Sequence, residues 1–164
     1  AQAMESRICD ELRQLDMPKI RFVCEFTPQQ PMQTGLDSVR FLMSANVGEA
    51  LKPLSKVASG GELSRVALAI KTVLLNASGV PTMVFDEIDT GVGGVTAQKM
   101  AEKIAVIAKV GQVLCITHLP QIASFADRHL LIRKESTGGR TSTGLTVLDE
   151  EGRIQELMLS LIHI

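Results

Sequence analysis

Three short runs in the 164-residue sequence carry residue types that can do chemistry. The first is Ser59-Gly60-Gly61-Glu62, which opens a stretch with helical spacing. Paired glycines let a backbone approach a ligand closely, and a helix N-terminus offers unpaired N–H groups and a positive dipole end, so a phosphate is a natural guest. The same residues also make an S-x-x-E capping box, in which Ser59 and Glu62 satisfy each other's backbone N–H groups without any ligand. The second run is Asp86-Glu87, directly after the apolar stretch Thr82 to Phe85. Adjacent carboxylates at the C-terminal end of a buried parallel strand lie where α/β sheets place their ligands. One acid can hold Mg2+, which takes hard oxygen ligands and works with phosphates. Its neighbour can polarise an attacking water. A solvated Asp-Glu turn is the plainer alternative. The third is His118, again immediately after an apolar stretch, Val113 to Ile116. A neutral imidazole there can hydrogen-bond a terminal phosphate or the attacking water, whereas a lone histidine more simply caps a helix or satisfies a buried carbonyl.

These runs need elements that bring them together. Leu63, Val66, Ala67, Ile70, Val73 and Leu74 share an apolar face of a helix that starts at Ser59 and ends near Asn76 and Gly79. A short strand, Thr82 to Phe85, leads into the acidic pair. A second helix turns Ala97, Met100, Ala101, Ile104 and Ala108 to the core and stops before Gly111, and a strand from Val113 to Ile116 delivers Thr117 and His118. Strand–helix–strand with short loops and continuous apolar strands predicts an α/β fold with a mostly parallel sheet covered by helices. Parallel strands that both end in polar residues bring His118 and Asp86-Glu87 to the same sheet edge. Upstream, Met4, Ile8, Leu12 and Leu15 recur at helical spacing until Pro18 stops the helix. Ile20, Phe22, Cys24 and Phe26 alternate with Arg21, Val23 and Glu25 as in a half-buried strand. Thr27 to Gly35, with its prolines and glutamines, reads as a loop. A second strand from Ser38 to Met43 completes an antiparallel ribbon, and a further loop runs through Pro53. Downstream, Pro120 opens a short helix through Ala126, and His129 to Glu135 with Thr141 to Leu148 reads as a C-terminal hairpin across Gly138-Gly139.

Composition removes several classes of function. The 17 Lys and Arg against 18 Asp and Glu give a net charge of −1, which argues against a polycation that coats DNA and against an acidic tail. No apolar run approaches the roughly 18–20 residues that span a bilayer, so no membrane partner is expected. Cys9, Cys24 and Cys115 lie far apart without metal-type spacing, as reduced thiols of a cytosolic protein do. With no Trp or Tyr and only 5 Phe, aromatic platforms for single-stranded nucleic acid are not expected. Arg128, Arg133, Lys134 and Arg140 give the hairpin a basic bias that fits a soluble exposed ribbon better than a DNA contact. The chain contains no Gly-Lys dipeptide, so the G-x-x-x-x-G-K-[ST] loop that wraps phosphates is absent and the sequence carries half a nucleotide site. It opens without Met in what reads as the last turns of a helix, as a fragment of a longer protein would.

In their order, these motifs resemble the C-terminal lobe of an ABC-type ATPase head: signature motif, Walker B, D-loop and switch histidine. Lys56-Val57-Ala58-Ser59-Gly60-Gly61-Glu62-Leu63-Ser64-Arg65, Phe85-Asp86-Glu87-Ile88-Asp89-Thr90-Gly91 and Thr117-His118-Leu119-Pro120-Gln121 resemble the RecN family of bacterial DNA-repair ATPases, relatives of the SMC proteins. The likeness runs from about Met17 to Leu157. Transporter ATPases usually have Pro after the Walker B Glu, where this chain has Ile88, and Gln where it has Glu62. Asn46-Val47-Gly48 stands where the family commonly has Asn-Pro-Gly. The resemblance implies a P-loop head of ABC/SMC type, with residues 1–17 the end of a coiled-coil arm and 18–157 the C-terminal lobe. Residues 158–164 are set apart as a non-native tail, because Ser160-Leu161-Ile162-His163-Ile164 resembles translated sequencing-adaptor read-through.

The same resemblance implies ATP and Mg2+ as cofactors. It implies as partners the protein's own N-terminal Walker A lobe and a second copy of the head in an ATP-dependent homodimer, with DNA by resemblance only. Asp86 would position Mg2+, Glu87 would be the general base and His118 would sense the γ-phosphate. Ser59, Gly60 and Gly61, with Glu62 in the same motif, would meet the γ-phosphate held by the opposing subunit, and Asp89 would couple the two sites. The implied role is recombinational repair of double-strand breaks in the bacterial cytoplasm, at the nucleoid, with this segment inactive by itself. The alternatives are the head lobe of another SMC-like or ABC ATPase and a non-catalytic dimerisation fragment.

Overall fold

Among residues 1–33, 35–46, 48–56, 60–75, 79–137 and 140–162, which the computed structural model describes, the two hydrophobic periods resolve into helices and three small sheets. Ser59 and the Gly138-Gly139 turn lie outside the described residues. Helix α1 (Gln2–Gln14) turns Ile8 and Leu12 into the core, joined by Leu15. It ends before Pro18 because Asp16 adopts a left-handed φ of 62°, and the N–H groups of Leu15 and Met17 both fold back onto the Leu12 carbonyl. Strands β1 (Arg21–Met32) and β2 (Gly35–Ser44) form the antiparallel ribbon, pairing Phe22 with Met43 and Cys24 with Phe41, and β3 (Lys52–Pro53) adds to β2. Glu5 accepts a hydrogen bond from the Cys24 backbone N–H at 2.8 Å, which fixes α1 on the ribbon.

Most of the expected loop from Thr27 to Gly35 is strand: β1 continues to Met32, with its register broken between Pro28 and Met32, and β2 starts at Gly35. β1 is an edge strand, where proline is tolerated, and the register break begins at Pro28 and spans Pro31. Phe26, expected inside, is exposed because the ribbon has already left the core at that point. The expected loop through Pro53 also contains β3.

Helix α2 (Gly60–Val73) buries Gly61, Val66, Leu68 and Ala69, whereas the expected core residues Leu63 and Ala67 are exposed. The helix is apolar on most of its circumference, so periodicity did not single out the packed face. Strand β4 (Thr82–Phe85), helix α3 (Gly94–Ala108) and strand β5 (Gln112–Cys115) form the expected crossover. In α3, Ala97, Met100 and Ala101 are buried as expected, with Ile107 taking the place of Ala108. Lys103 ties α3 to α1 through an ion pair with Glu11 and a 3.0 Å hydrogen bond to Gln14.

β4 and β5 are parallel and in register, from Thr82 beside Gln112 to Phe85 beside Cys115. Among the described residues, helices cover one face of this sheet. Met83, Phe85, Val113 and Cys115 pack on the core, but Val84 is 63% exposed, Ile116 53%, and Leu114 lies open beside them. Strands buried on both faces read as continuous apolar runs. These strands have that composition, yet the described helices cover one face only.

Helix α4 (Pro120–Ala123) is shorter than expected, although the N–H groups of Phe125 and Ala126 keep the chain coiled by bonding back to Ile122 and Ala123. Strands β6 (Leu130–Thr137) and β7 (Arg140–Val147) make the expected hairpin, pairing Leu130 with Val147 and Ile132 with Leu145. A last helix, α5 (Glu150–Ile162), was not expected and runs across the boundary drawn at residue 158. Asp149 starts it by accepting the Gly152 N–H at 2.8 Å, and Arg153 holds it to the Ala126 carbonyl.

Candidate active site

Because β4 and β5 run parallel, their C-terminal ends deliver Asp86-Glu87 and Thr117-His118 to one edge of the sheet. The Ile116 N–H donates to the Phe85 carbonyl at 2.9 Å, carrying the pairing one step past the strands. The chain then turns sharply. Glu87 has a φ of 54°, in the left-handed region that non-glycine residues seldom enter. The Thr90 N–H closes this turn on the Glu87 carbonyl at 3.2 Å. Strain of this type is concentrated at functional sites, where surrounding packing holds it. The turn sorts its residues: Asp86 and Glu87 face solvent, while Ile88 and Asp89 are buried.

The first turn of α2 rests on this acidic turn. A Cβ on Gly60 would lie 2.6 Å from Glu87 Oε2, and one on Gly61 would lie 3.1 Å from the Glu87 carbonyl oxygen and 3.2 Å from Thr90 Cβ. Glycine is what permits the approach. Ser64 Oγ donates to the Asp86 carbonyl at 2.8 Å, and Arg65 Nη1 donates to the Thr90 carbonyl at 3.1 Å. Glu62 follows Gly61, half-buried on the helix. Gly60, Gly61, Asp86, Glu87, Asp89 and His118 are therefore one neighbourhood.

Asp89 is the polar centre of that neighbourhood. Its side chain is 3% exposed, and a buried carboxylate must be hydrogen-bonded. Its Oδ2 accepts from the Thr117 hydroxyl at 2.5 Å and the His118 backbone N–H at 2.9 Å, and lies 3.2 Å from His118 Nδ1. The His118 side chain is otherwise 73% exposed. Burial pushes the Cys115 thiol up to about 11, with the charges of Asp89 and Asp86 adding to it. Burial, and then Glu5, also raises Cys24.

Sequence reasoning missed the roles of Thr117, Ser64 and Arg65. A signal for the last two was available: Ser64 and Arg65 stand four residues after Gly60 and Gly61, hence on the same face of α2. The Thr117 contact had no local signal, since its partner lies 28 positions away.

Among the described residues no three His, Cys, Asp or Glu side chains converge as a self-sufficient metal site. Exposed Asp86 and Glu87, neither in an ion pair among the described residues, instead suit Mg2+, which binds through one or two carboxylates together with substrate phosphates. A cavity lined by Leu75, Val80, Met83 and Val110 lies at the opposite, N-terminal ends of the strands and has none of this chemistry.

No family model matches the chain. It is 46% identical, over 96% of its length, to the DNA repair protein RecN of Halalkalibacterium halodurans and equally to that of Bacillus subtilis. Against the DNA repair protein RecN of Xylella fastidiosa (strain Temecula1) it is 38% identical over 100% of its length. The chain spans 29 to 30% of the length of these relatives. Among solved structures it is similar to the Smc head domain with a coiled coil and joint from Pyrococcus yayanosii, with a TM-score of 0.62 and 19% identity over 98% of this chain and 29% of that one. A second, from the structural biochemistry of ATP-driven dimerization and DNA stimulated activation of SMC ATPases, gives a TM-score of 0.53 at 20% identity, covering 99% of this chain and 92% of that one. The fold is that of an SMC head lobe, as the motif order implied.

Proposed function

We propose, from the premise that this chain belongs to the RecN family of DNA repair proteins, that it supplies the C-terminal half of an ATP-hydrolysing, SMC-like head acting in recombinational repair of DNA double-strand breaks. One observation carries the reading: parallel strands bring Asp86-Glu87 and His118 to one edge, against the glycine-bearing first turn of a helix. Phosphoryl transfer to water needs mainly positioning and charge stabilisation, and this edge offers both.

Asp86 holds Mg2+, which when bound neutralises charge on the phosphate oxygens of ATP. Glu87, exposed on its strained turn, orients the attacking water and takes its proton. His118 senses the γ-phosphate. Ser59, Gly60, Gly61 and Glu62 form the signature motif that meets the γ-phosphate bound by a second head, so the competent form is an ATP-dependent homodimer. Asp89 couples the two sites. The Walker A loop comes from the N-terminal lobe of the same protein, and the open apolar face of Val84, Leu114 and Ile116 supports a seat for that lobe. By itself the chain hydrolyses no ATP. DNA is engaged by the whole protein in the bacterial cytoplasm; no described helix is long and apolar enough to cross a membrane.

ATP turnover by the full-length protein that contains this segment tests the reading. Wild type hydrolyses ATP, and Glu87→Gln keeps ATP and Mg2+ binding while losing roughly 10²–10⁴-fold in rate, the contribution of a positioned base. Wild-type turnover in that variant removes Glu87 from the chemistry.

A further inference from the structure

We propose that Asp89 and Thr117 are positioning residues for His118: they fix the tautomer with hydrogen on Nδ1, so that Nε2 is the nitrogen offered to the nucleotide. This rests on the ATPase reading above. Two hydrogen bonds reach a single atom, Asp89 Oδ2, from the Thr117 hydroxyl at 2.5 Å and the His118 backbone N–H at 2.9 Å, and His118 Nδ1 lies 3.2 Å from the same atom. An ionised carboxylate is an acceptor only, so the ring nitrogen facing it carries the hydrogen. The neutral ring then has its lone pair on Nε2. A buried acid that orients an imidazole in this way holds its tautomer and aim in hydrolytic triads as well.

Thr117 closes the arrangement from the other side. Its hydroxyl donates to Asp89 and accepts from the Leu119 N–H at 3.0 Å, so one side chain fixes both the acid and the backbone on either side of His118. Oδ2 of Asp89 is engaged within its own chain, and the side chain is nearly sealed from solvent. Any coupling between Asp89 and a second head therefore passes through the Thr117–His118 loop rather than by direct reach of the acid.

The experiment uses the full-length protein and two readouts, the kcat and KM for ATP and the ring ¹⁵N shifts of His118. Wild type is expected to show the hydrogen on Nδ1. Thr117→Val should lower kcat by roughly ten- to a hundredfold, the loss of one charge-assisted hydrogen bond, with KM for ATP within about twofold. Thr117→Ser should restore kcat. Asp89→Ala, which removes the acceptor facing Nδ1, should no longer hold the hydrogen there. A wild-type spectrum with hydrogen on Nε2, or a Thr117→Val loss that Thr117→Ser does not repair, overturns the proposal. Wild type that hydrolyses no ATP overturns the ATPase reading instead, and the His118 spectrum still decides the tautomer.

Discussion

Alanine at Gly60 and at Gly61 should separate rate from stability at neighbouring positions. A methyl at Gly60 falls 2.6 Å from Glu87 Oε2, about 1 Å inside ordinary contact. That oxygen is the tip of an exposed, rotatable side chain, so it moves aside at little cost. Gly60 sits in helical backbone, where alanine is favoured over glycine by up to about 1 kcal/mol, less in a first turn. Gly60→Ala should thus keep stability within about 1 kcal/mol of wild type or raise it. Its effect falls on the base: a reacting group displaced by about 1 Å costs on the order of 10²-fold in rate. Gly61 differs because its neighbours are the Glu87 carbonyl at 3.1 Å, Thr90 Cβ at 3.2 Å and the Thr90 carbonyl at 3.4 Å, none of which can swing away. Overpacking there costs about 1–3 kcal/mol, offset by about 1 kcal/mol of helix propensity, for a net loss of about 0–2 kcal/mol. The assay is ATP turnover beside urea unfolding on the full-length protein. If Gly60→Ala turns over ATP at the wild-type rate, the contact between Gly60 and Glu87 has no part in catalysis and the reasoning fails.

Two further outcomes follow from the same geometry. With its thiol pushed from 9.0 to about 11, Cys115 should react with iodoacetamide at pH 8 roughly a hundredfold more slowly than an ordinary thiol, and equal rates would refute the burial argument. The sign for stability follows from a folded value above the unfolded one: this contribution is complete below pH 9 and is lost as pH rises toward about 11. Val84→Asp, on the open sheet face, should leave the stability of this chain within about 0.5 kcal/mol, yet abolish its association with the N-terminal lobe. Unchanged association in a pull-down would move the lobe seat elsewhere.

The site was legible where the signal was local. Short apolar strands that end abruptly in Asp86-Glu87 and in Thr117-His118 give both the parallel pair and the shared edge. What escaped depended on distant partners. Whether Asp89 points in or out is decided by Thr117 and His118, which reach it only once β4 and β5 have paired. The packed face of α2 was misassigned because Leu63, Val66, Ala67, Leu68, Ala69 and Ile70 make it apolar nearly all round. The placement of α1, α3 and the acidic turn against the helix selects Gly61, Val66, Leu68 and Ala69. Thr27 to Gly35 has loop composition, yet an available ladder on β2 extended the strand through it. Helix α5 had a signal that was passed over, since Asp149 before Glu150-Glu151 is an N-cap followed by acids suited to the helix dipole.

The composite site is tested most directly by ATP hydrolysis in a mixture of this chain with a Walker A lobe from a RecN-family protein, each half alone and Glu87→Gln serving as controls. Hydrolysis in the combined wild-type sample, and in none of the others, is the predicted result. Lobes that bind one another and still hydrolyse no ATP would contradict the assignment of Asp86, Glu87 and His118 to catalysis.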